Sequence, residues 1–155
     1  MKPVYYILLF SGIFLIACGT NDVFERTERF SAHEWPVVRE PLIKFDISDT
    51  SSFYHIYVVI RHTDAYRYNN IWLNITTQSP NDTPRTQLLD ISLADNTKGW
   101  LGSGMDDIFD RRPRITQAPI RLKKGTYTFK LQQAMREDPL GYVLSAGIRV
   151  EKVQP

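Results

Sequence analysis

From residue 33 onward, apolar and polar side chains alternate in short runs, and each run stops at a cluster of turn-forming residues. A period of two is the pattern of half-buried β-strands, and short runs spaced by Gly, Pro, Asn and Asp point to a sandwich. Leu42 to Ile47 places Ile43, Phe45 and Ile47 on one face. Tyr54 to Arg61 reads as the central strand. Tyr54, Ile56, Val58 and Ile60 share one side of it, with His55, Tyr57, Val59 and Arg61 opposite, and its β-branched and aromatic content suits a strand. After a His62-Thr63-Asp64 turn, Ile71, Leu73 and Ile75 alternate with Trp72, Asn74 and Thr76. Thr86 to Leu93 is expected to return as a strand, although its spacing also admits a helix. Thr126 to Gln132 turns Tyr127, Phe129 and Leu131 inward, and Leu144, Ala146, Ile148 and Val150 form the last alternation.

The intervening segments give less regular signals. Trp35-Pro36-Val37-Val38 is expected at a sheet edge, because Pro36 has no N–H for a central ladder. Asp95 to Gly99 closes a hairpin toward Trp100. Gly102 to Arg114 holds two glycines, three aspartates, three arginines and a proline, so a long irregular loop is expected, of the functional or mobile kind. The expected fold is all-β: a jelly-roll-like β-sandwich of about eight antiparallel strands.

The N-terminus has a different pattern. One lysine precedes an apolar run of about 14 residues ending at Ala17, too short to span a bilayer, which takes about 20, but suited to a secretory signal. Leu15-Ile16-Ala17-Cys18 resembles a bacterial lipobox, with small Ala17 before the cleavage point and Cys18 as the acylated first residue. A thiolate is the side-chain nucleophile best suited to take a diacylglyceryl group near neutral pH. Cys18 is the sole cysteine, so no disulfide is expected. Two or three acyl chains, including palmitate, anchor a protein stably where one does not. The expected organisation is a signal peptide over 1–17, a lipidated tether over 18–32 and a sandwich domain over 33–153. Gly19 stands where inner-membrane retention uses aspartate, and no acidic export run follows. Those features lead to an outer-membrane lipoprotein on the periplasmic face rather than the cell surface.

Composition narrows the chemistry. The net charge of +2 and scattered basic residues give no reason to expect a nucleic-acid partner, and aromatics at 12% suit either a β-rich core or a ligand platform. His33, His55 and His62 lack metal-binding spacing. Asp106, Asp107 and Asp110 could offer oxygens to calcium but do not follow the EF-hand spacing, and Arg111, Arg112 and Arg114 are placed to neutralise them. Those arginines could equally hold a partner's phosphate or carboxylate. No nucleophile elbow, S-x-x-K motif or phosphate-binding glycine loop occurs, so neither enzymatic activity nor a cofactor is expected. Trp35, Trp72 and Trp100 with Tyr66 and Tyr68 could form a glycan-stacking face. That leaves an envelope glycan-binding module as the alternative to a protein-interaction module.

Several stretches, in order, resemble the gliding-motility lipoprotein GldH family of the Bacteroidetes. They are Cys18, Tyr54 to Arg61-His62, and Tyr66-x-Tyr68-x-Asn70-Ile71-Trp72. Then follow Lys98-Gly99-Trp100-x-Gly102-x-Gly104 with Asp107-Ile108, Gly125-x-Tyr127-x-Phe129 leading to Met135-Arg136, and Gly147-Ile148. Ile71 stands where the family more often has leucine. The resemblance implies an envelope lipoprotein needed for surface gliding and for the associated type IX secretion of adhesins. The role it implies is accessory and non-catalytic, alongside other envelope proteins of that machinery. Loops on a rigid sandwich are the usual contact surfaces, with Tyr, Trp and Arg as anchors. The candidate contact residues are therefore Tyr66, Tyr68, Asn70, Trp72, Trp100, Asp107, Arg111, Arg112 and Arg114.

Overall fold

A computed structural model of the protein describes residues 23–153; the expected signal peptide over 1–17 and the lipidation candidate Cys18 lie outside the described residues. Among the described residues, eight strands have four residues or more. They are β1 (Val23–Arg29), β2 (Leu42–Ile47), β3 (Phe53–Thr63), β4 (Asn70–Gln78), β5 (Arg85–Ser92), β6 (Ile108–Arg111), β7 (Gly125–Gln133) and β8 (Val143–Lys152). One sheet runs β1-β8-β3-β6 and the other β2-β7-β4-β5, with every pairing antiparallel. That strand order, 1-8-3-6 beside 2-7-4-5, is the jelly-roll wrapping. Short strands extend it: Ser103–Met105 pairs with β6, Ile120–Arg121 with β3, Glu34–Trp35 with Leu140–Gly141, and Ala94–Asp95 with Gly99–Trp100.

The alternation seen in the sequence builds the core. Tyr54, Ile56, Val58 and Ile60 of β3, with Ala146, Ile148 and Val150 of β8, form one wall. Ile43, Phe45 and Ile47, Tyr127, Phe129 and Leu131, and Ile71, Leu73 and Ile75 form the other. Phe45 stacks between Tyr127 and Phe129, with ring centroids 5.4 and 5.8 Å away. Each fully buried large apolar side chain contributes about 1.5–3 kcal/mol, which suffices for a core without cross-links. Arg85 to Ser92 is strand, not helix, paired antiparallel along β4, and Ile91 and the following Leu93 are buried.

Five expectations are corrected. Part of the stretch expected as tether, 18–32, is β1, paired along its whole length with β8. Its charged composition hid it, and charges are how an edge strand is kept from pairing with other chains. The edge strand expected over Trp35–Val38 stops at Trp35, and a turn follows in which Arg39 N donates to the Pro36 carbonyl (2.9 Å). His62 and Thr63 do not form a turn but end β3, with His62 fully buried on its core face. Gly102 to Arg114 is no irregular loop: residues 103–111 form a hairpin turning at Asp106-Asp107. Beyond it, Val58 N donates to the Pro113 carbonyl and Ile115 N to the Ile56 carbonyl, so the segment lines the edge of β3. In β8, a register shift between Val143 and Ser145 buries Val143 and leaves Leu144 half-exposed, as an inserted bulge residue does.

Candidate functional site

The sequence-derived contact residues separate into three places. Tyr68, Asn70 and Trp72 come together at the start of β4. Because Ile71 and Leu73 turn inward, Trp72 stands on the outer face of its sheet, 38% exposed. Beside it on β5 is Leu88, 56% exposed. The turn after β7 folds back over this corner: Ala134 N donates to the Trp72 carbonyl (2.8 Å), and Trp72 N donates to the Met135 Sδ (3.3 Å). Tyr68, Asn70, Trp72, Leu88, Met135 and Arg136 thus line an open cleft of about 480 Å³.

Its walls are held by polar groups that are themselves satisfied. Buried Gln133 accepts from Met135 N (2.8 Å) and donates to the Glu137 carbonyl (3.1 Å), fixing the turn. Tyr68 donates its hydroxyl to Glu137 (2.8 Å), which raises the phenol's pKa, and Arg67 pairs with the same carboxylate (3.2 Å). Asn70 Nδ2 donates to Asp90 (2.6 Å). An apolar floor with polar ends, built on a sheet, suits a large side chain of a partner more than it suits chemistry.

Tyr66 and Trp100 belong to the second place, an aromatic cluster around His62. Tyr66 is only 4% exposed and donates its hydroxyl to the Asn70 carbonyl (3.0 Å). The His62 ring lies 4.7 Å from that of Trp100, 5.4 Å from Tyr66 and 5.9 Å from Phe109. Its Nδ1 is 2.9 Å from the Thr63 carbonyl, whereas Nε2 has no partner among the described residues, and burial pushes the imidazole pKa down. Tyr66 therefore serves the interior and drops out of the contact surface.

Arg112 and Arg114 mark the third place, the outer face of the other sheet, with Arg111 at that sheet's edge. Arg61 grips Asp110 through Nε and Nη2, both at 2.8 Å. Arg112 reaches across to Glu25 on β1, which Arg149 also holds. Burial opposes the charge on Glu25, but the bonds and charges of these two arginines outweigh it and keep its pKa low. Arg111 donates to the Ser92 carbonyl (3.1 Å), joining the edges of the two sheets. Arg114 contacts His55 and the Gln117 carbonyl. Asp107, at the hairpin turn, accepts from Asp64 N through its carbonyl (2.7 Å).

The glycan-stacking face that Trp35, Trp72 and Trp100 with Tyr66 and Tyr68 could have formed, the alternative reading, is not assembled. Trp35 is fully buried, stacked on Phe30 at 4.7 Å, and Trp100 packs at His62, so Trp72 alone reaches the cleft. Leu88 and Met135 were missed by sequence reasoning. Two adjacent leucines in a strand must put one outward, which was a signal for Leu88; Met135 stood among the residues of the family resemblance, but nothing local told that it meets Trp72 from 63 residues away.

A family described as GldH lipoprotein matches residues 22–150. Among named relatives, the chain is 26% identical to "Gliding motility lipoprotein GldH homolog" of Christiangramia forsetii, over 95% of this chain and 94% of the relative. It is 24% identical to "Gliding motility lipoprotein GldH" of Flavobacterium johnsoniae, over 94% of each. Among solved structures, dimeric latent PorU from Porphyromonas gingivalis is similar at a TM-score of 0.39 and 12% identity, over 84% of this chain and 12% of PorU. The infectious bursal disease virus Gx strain gives a TM-score of 0.31 at 12% identity, over 84% of this chain and 31% of the viral one. Both structural likenesses are too loose to bear on function.

Proposed function

The chain belongs to the GldH lipoprotein family, and from that premise we propose that it is a non-catalytic accessory of the gliding-motility apparatus and its type IX secretion. In this reading acyl chains on Cys18 hold it to the periplasmic face of the outer membrane. The sandwich then offers the Trp72 cleft to another envelope protein of that machinery. The observation that carries the reading is that exposed Trp72 and exposed Leu88, diagonal neighbours on the outer face of a rigid sheet, line one cleft. Solvent-facing Trp72 with Tyr68 and Arg136 around it has the composition of an interaction hot spot, and Leu88 extends its apolar floor.

Three carboxylates are committed to ion pairs, Asp110 and Glu25 to arginines and Asp49 to Lys152, each with its pKa lowered. Held ionised in this way, these three are not poised as general acids. The relatives' names supply the motility context.

The test is affinity purification of the lipidated chain from native membranes, with Leu88→Glu and Trp72→Ala beside it. The unmodified chain recovers a defined set of envelope proteins. Each variant, at equal abundance in the membrane, loses that set by at least about tenfold, the effect of removing a hot spot, and surface spreading fails with it. Partners and spreading retained in both variants would refute the reading. Cys18→Ser releases the domain from the membrane and abolishes function; a soluble, active Cys18→Ser chain would refute the anchoring.

A further inference from the structure

The first strand begins at Val23, five residues after Cys18. Five extended residues reach at most about 18 Å, so an anchor at Cys18 holds the Val23 end of the sandwich close to lipid. Which residues occupy that end follows from register. Val23 lies opposite Glu151, the neighbouring Lys152 lies opposite Tyr54, and Tyr54 and Phe53 pair with Ile120 and Arg121. Those are three interstrand steps, about 15 Å. Lys123 and Lys124 come next in the chain, before Gly125, whose partner is Ile47 at the end of β2.

This end is amphipathic. Phe53 is 44% and Ile120 37% exposed, while Arg121, Lys123 and Lys124 all face solvent. The Arg121 guanidinium lies over the Phe53 ring at 4.9 Å. Buried Leu122 and the bond from Lys123 N to the Tyr127 hydroxyl (2.8 Å) fix the segment to the core. Nearby acids are occupied: Asp49 by Lys152, Glu151 by Arg149, Asp46 by Thr126, and Asp82 by its own turn. No carboxylate among the described residues pairs with Arg121, Lys123 or Lys124.

We infer that the Phe53–Ile120–Lys124 end docks on an anionic lipid surface, orienting the whole domain. Apolar side chains entering the headgroup region beside cations are the composition of interfacial binding. A tether this short leaves no other end within reach. β3 runs ten residue steps from Phe53 to Thr63, about 33 Å. The Trp72 cleft, at the far end of β4 from the Gln78–Thr128 pairing, is thereby displayed away from the bilayer. The inference rests on acylation at Cys18 as proposed above, and adds the face and the ligand.

The full acylated chain is reconstituted into phosphatidylcholine–phosphatidylglycerol vesicles carrying brominated acyl chains. A polarity-sensitive fluorophore is placed on Ala118→Cys, next to the patch, or on Asp106→Cys, at the opposite tip; the acylated Cys18 does not react. The label at 118 is expected to be quenched and the label at 106 to remain in water. Each basic residue is worth about fivefold at an anionic surface, so Arg121→Glu/Lys123→Glu/Lys124→Glu weakens docking by at least about a hundredfold. Quenching at 118 is then lost, as it also is for the unmodified patch in 1 M salt, while the chain still sediments with vesicles. Melting temperature checks that the triple variant is folded. A vesicle-bound chain with both labels in water, with 106 quenched instead, or with quenching indifferent to the triple variant and salt overturns the docking and leaves the anchor standing. A chain without acyl mass on Cys18 that stays in the supernatant overturns the anchor, and the docking with it.

Discussion

Gly147 is the residue on which attachment of β1 depends, and replacing it with alanine is the sharpest test of this sandwich. It lies opposite Thr27 in the β1–β8 ladder. A Cβ there would come 2.0 Å from the Arg26 carbonyl oxygen and 2.6 Å from Thr27 Cα. Carbon and oxygen need roughly 3.2 Å or more, so β1 would have to retreat by more than about 1 Å. Both obstacles are backbone, and no rotamer change relieves them. A shift of that size forces overpacking at about 1–3 kcal/mol and weakens neighbouring ladder bonds worth about 0.5–1.5 kcal/mol each. Phe24, packed on Phe45 at 5.3 Å, and the Glu25 pairs with Arg112 and Arg149 loosen with it. The expected cost of Gly147→Ala is about 3 kcal/mol, or about 10 °C in melting temperature for a domain of this size. Amides of β1 should lose hydrogen-exchange protection before those of β3. Gly141→Ala is the control, since its nearest contact, Glu137 Oε1 at 3.4 Å, is ordinary packing. If Gly147→Ala melted within about 2 °C of the unmodified chain, with β1 still protected, the close approach of β1 would be wrong.

Two further outcomes follow from the electrostatics. Burial lowers the pKa of His62, so the folded state holds it neutral while the unfolded chain titrates near 6.5. Its contribution is present above about pH 6.5 and is lost as pH falls from there through the folded value; His62→Phe should remove that part of the pH dependence of urea midpoints. Asp110, held ionised chiefly by its hydrogen bonds from Arg61, stabilises above its unfolded pKa of about 4 and less as pH falls below it. Because Arg61 is largely solvent-screened, Asp110→Asn should cost only about 1 kcal/mol at pH 7. It should also flatten the acid limb of the stability curve, and an unchanged acid limb would refute the pairing.

The alternations of Ile43, Phe45 and Ile47, of Tyr54 through Ile60, and of Tyr127, Phe129 and Leu131 were legible because a strand's period of two is a property of its own backbone. A sandwich and its principal core residues followed from them. Trp72 was legible as an outward residue for the same reason, by its phase against Ile71 and Leu73. β1 was not, because Val23 to Arg29 offers little apolar pattern and owes its strand to β8, more than a hundred residues on. The hairpin over Ser103–Arg111 was hidden likewise, since its glycines and aspartates read as breakers until β3 supplies an edge for β6 to pair with.

What the chain fixed by itself were the local quantities: which residues turn inward, where turns fall, and where the one cysteine stands relative to the first strand. The tertiary structure alone decided which distant pieces meet. It set Met135 over Trp72, Arg112 on Glu25, and the Lys123–Lys124 turn at the same end as Val23. Hydrophobic periodicity is written residue by residue, whereas strand partners are chosen by competition among whole edges, and no short stretch of sequence records its outcome.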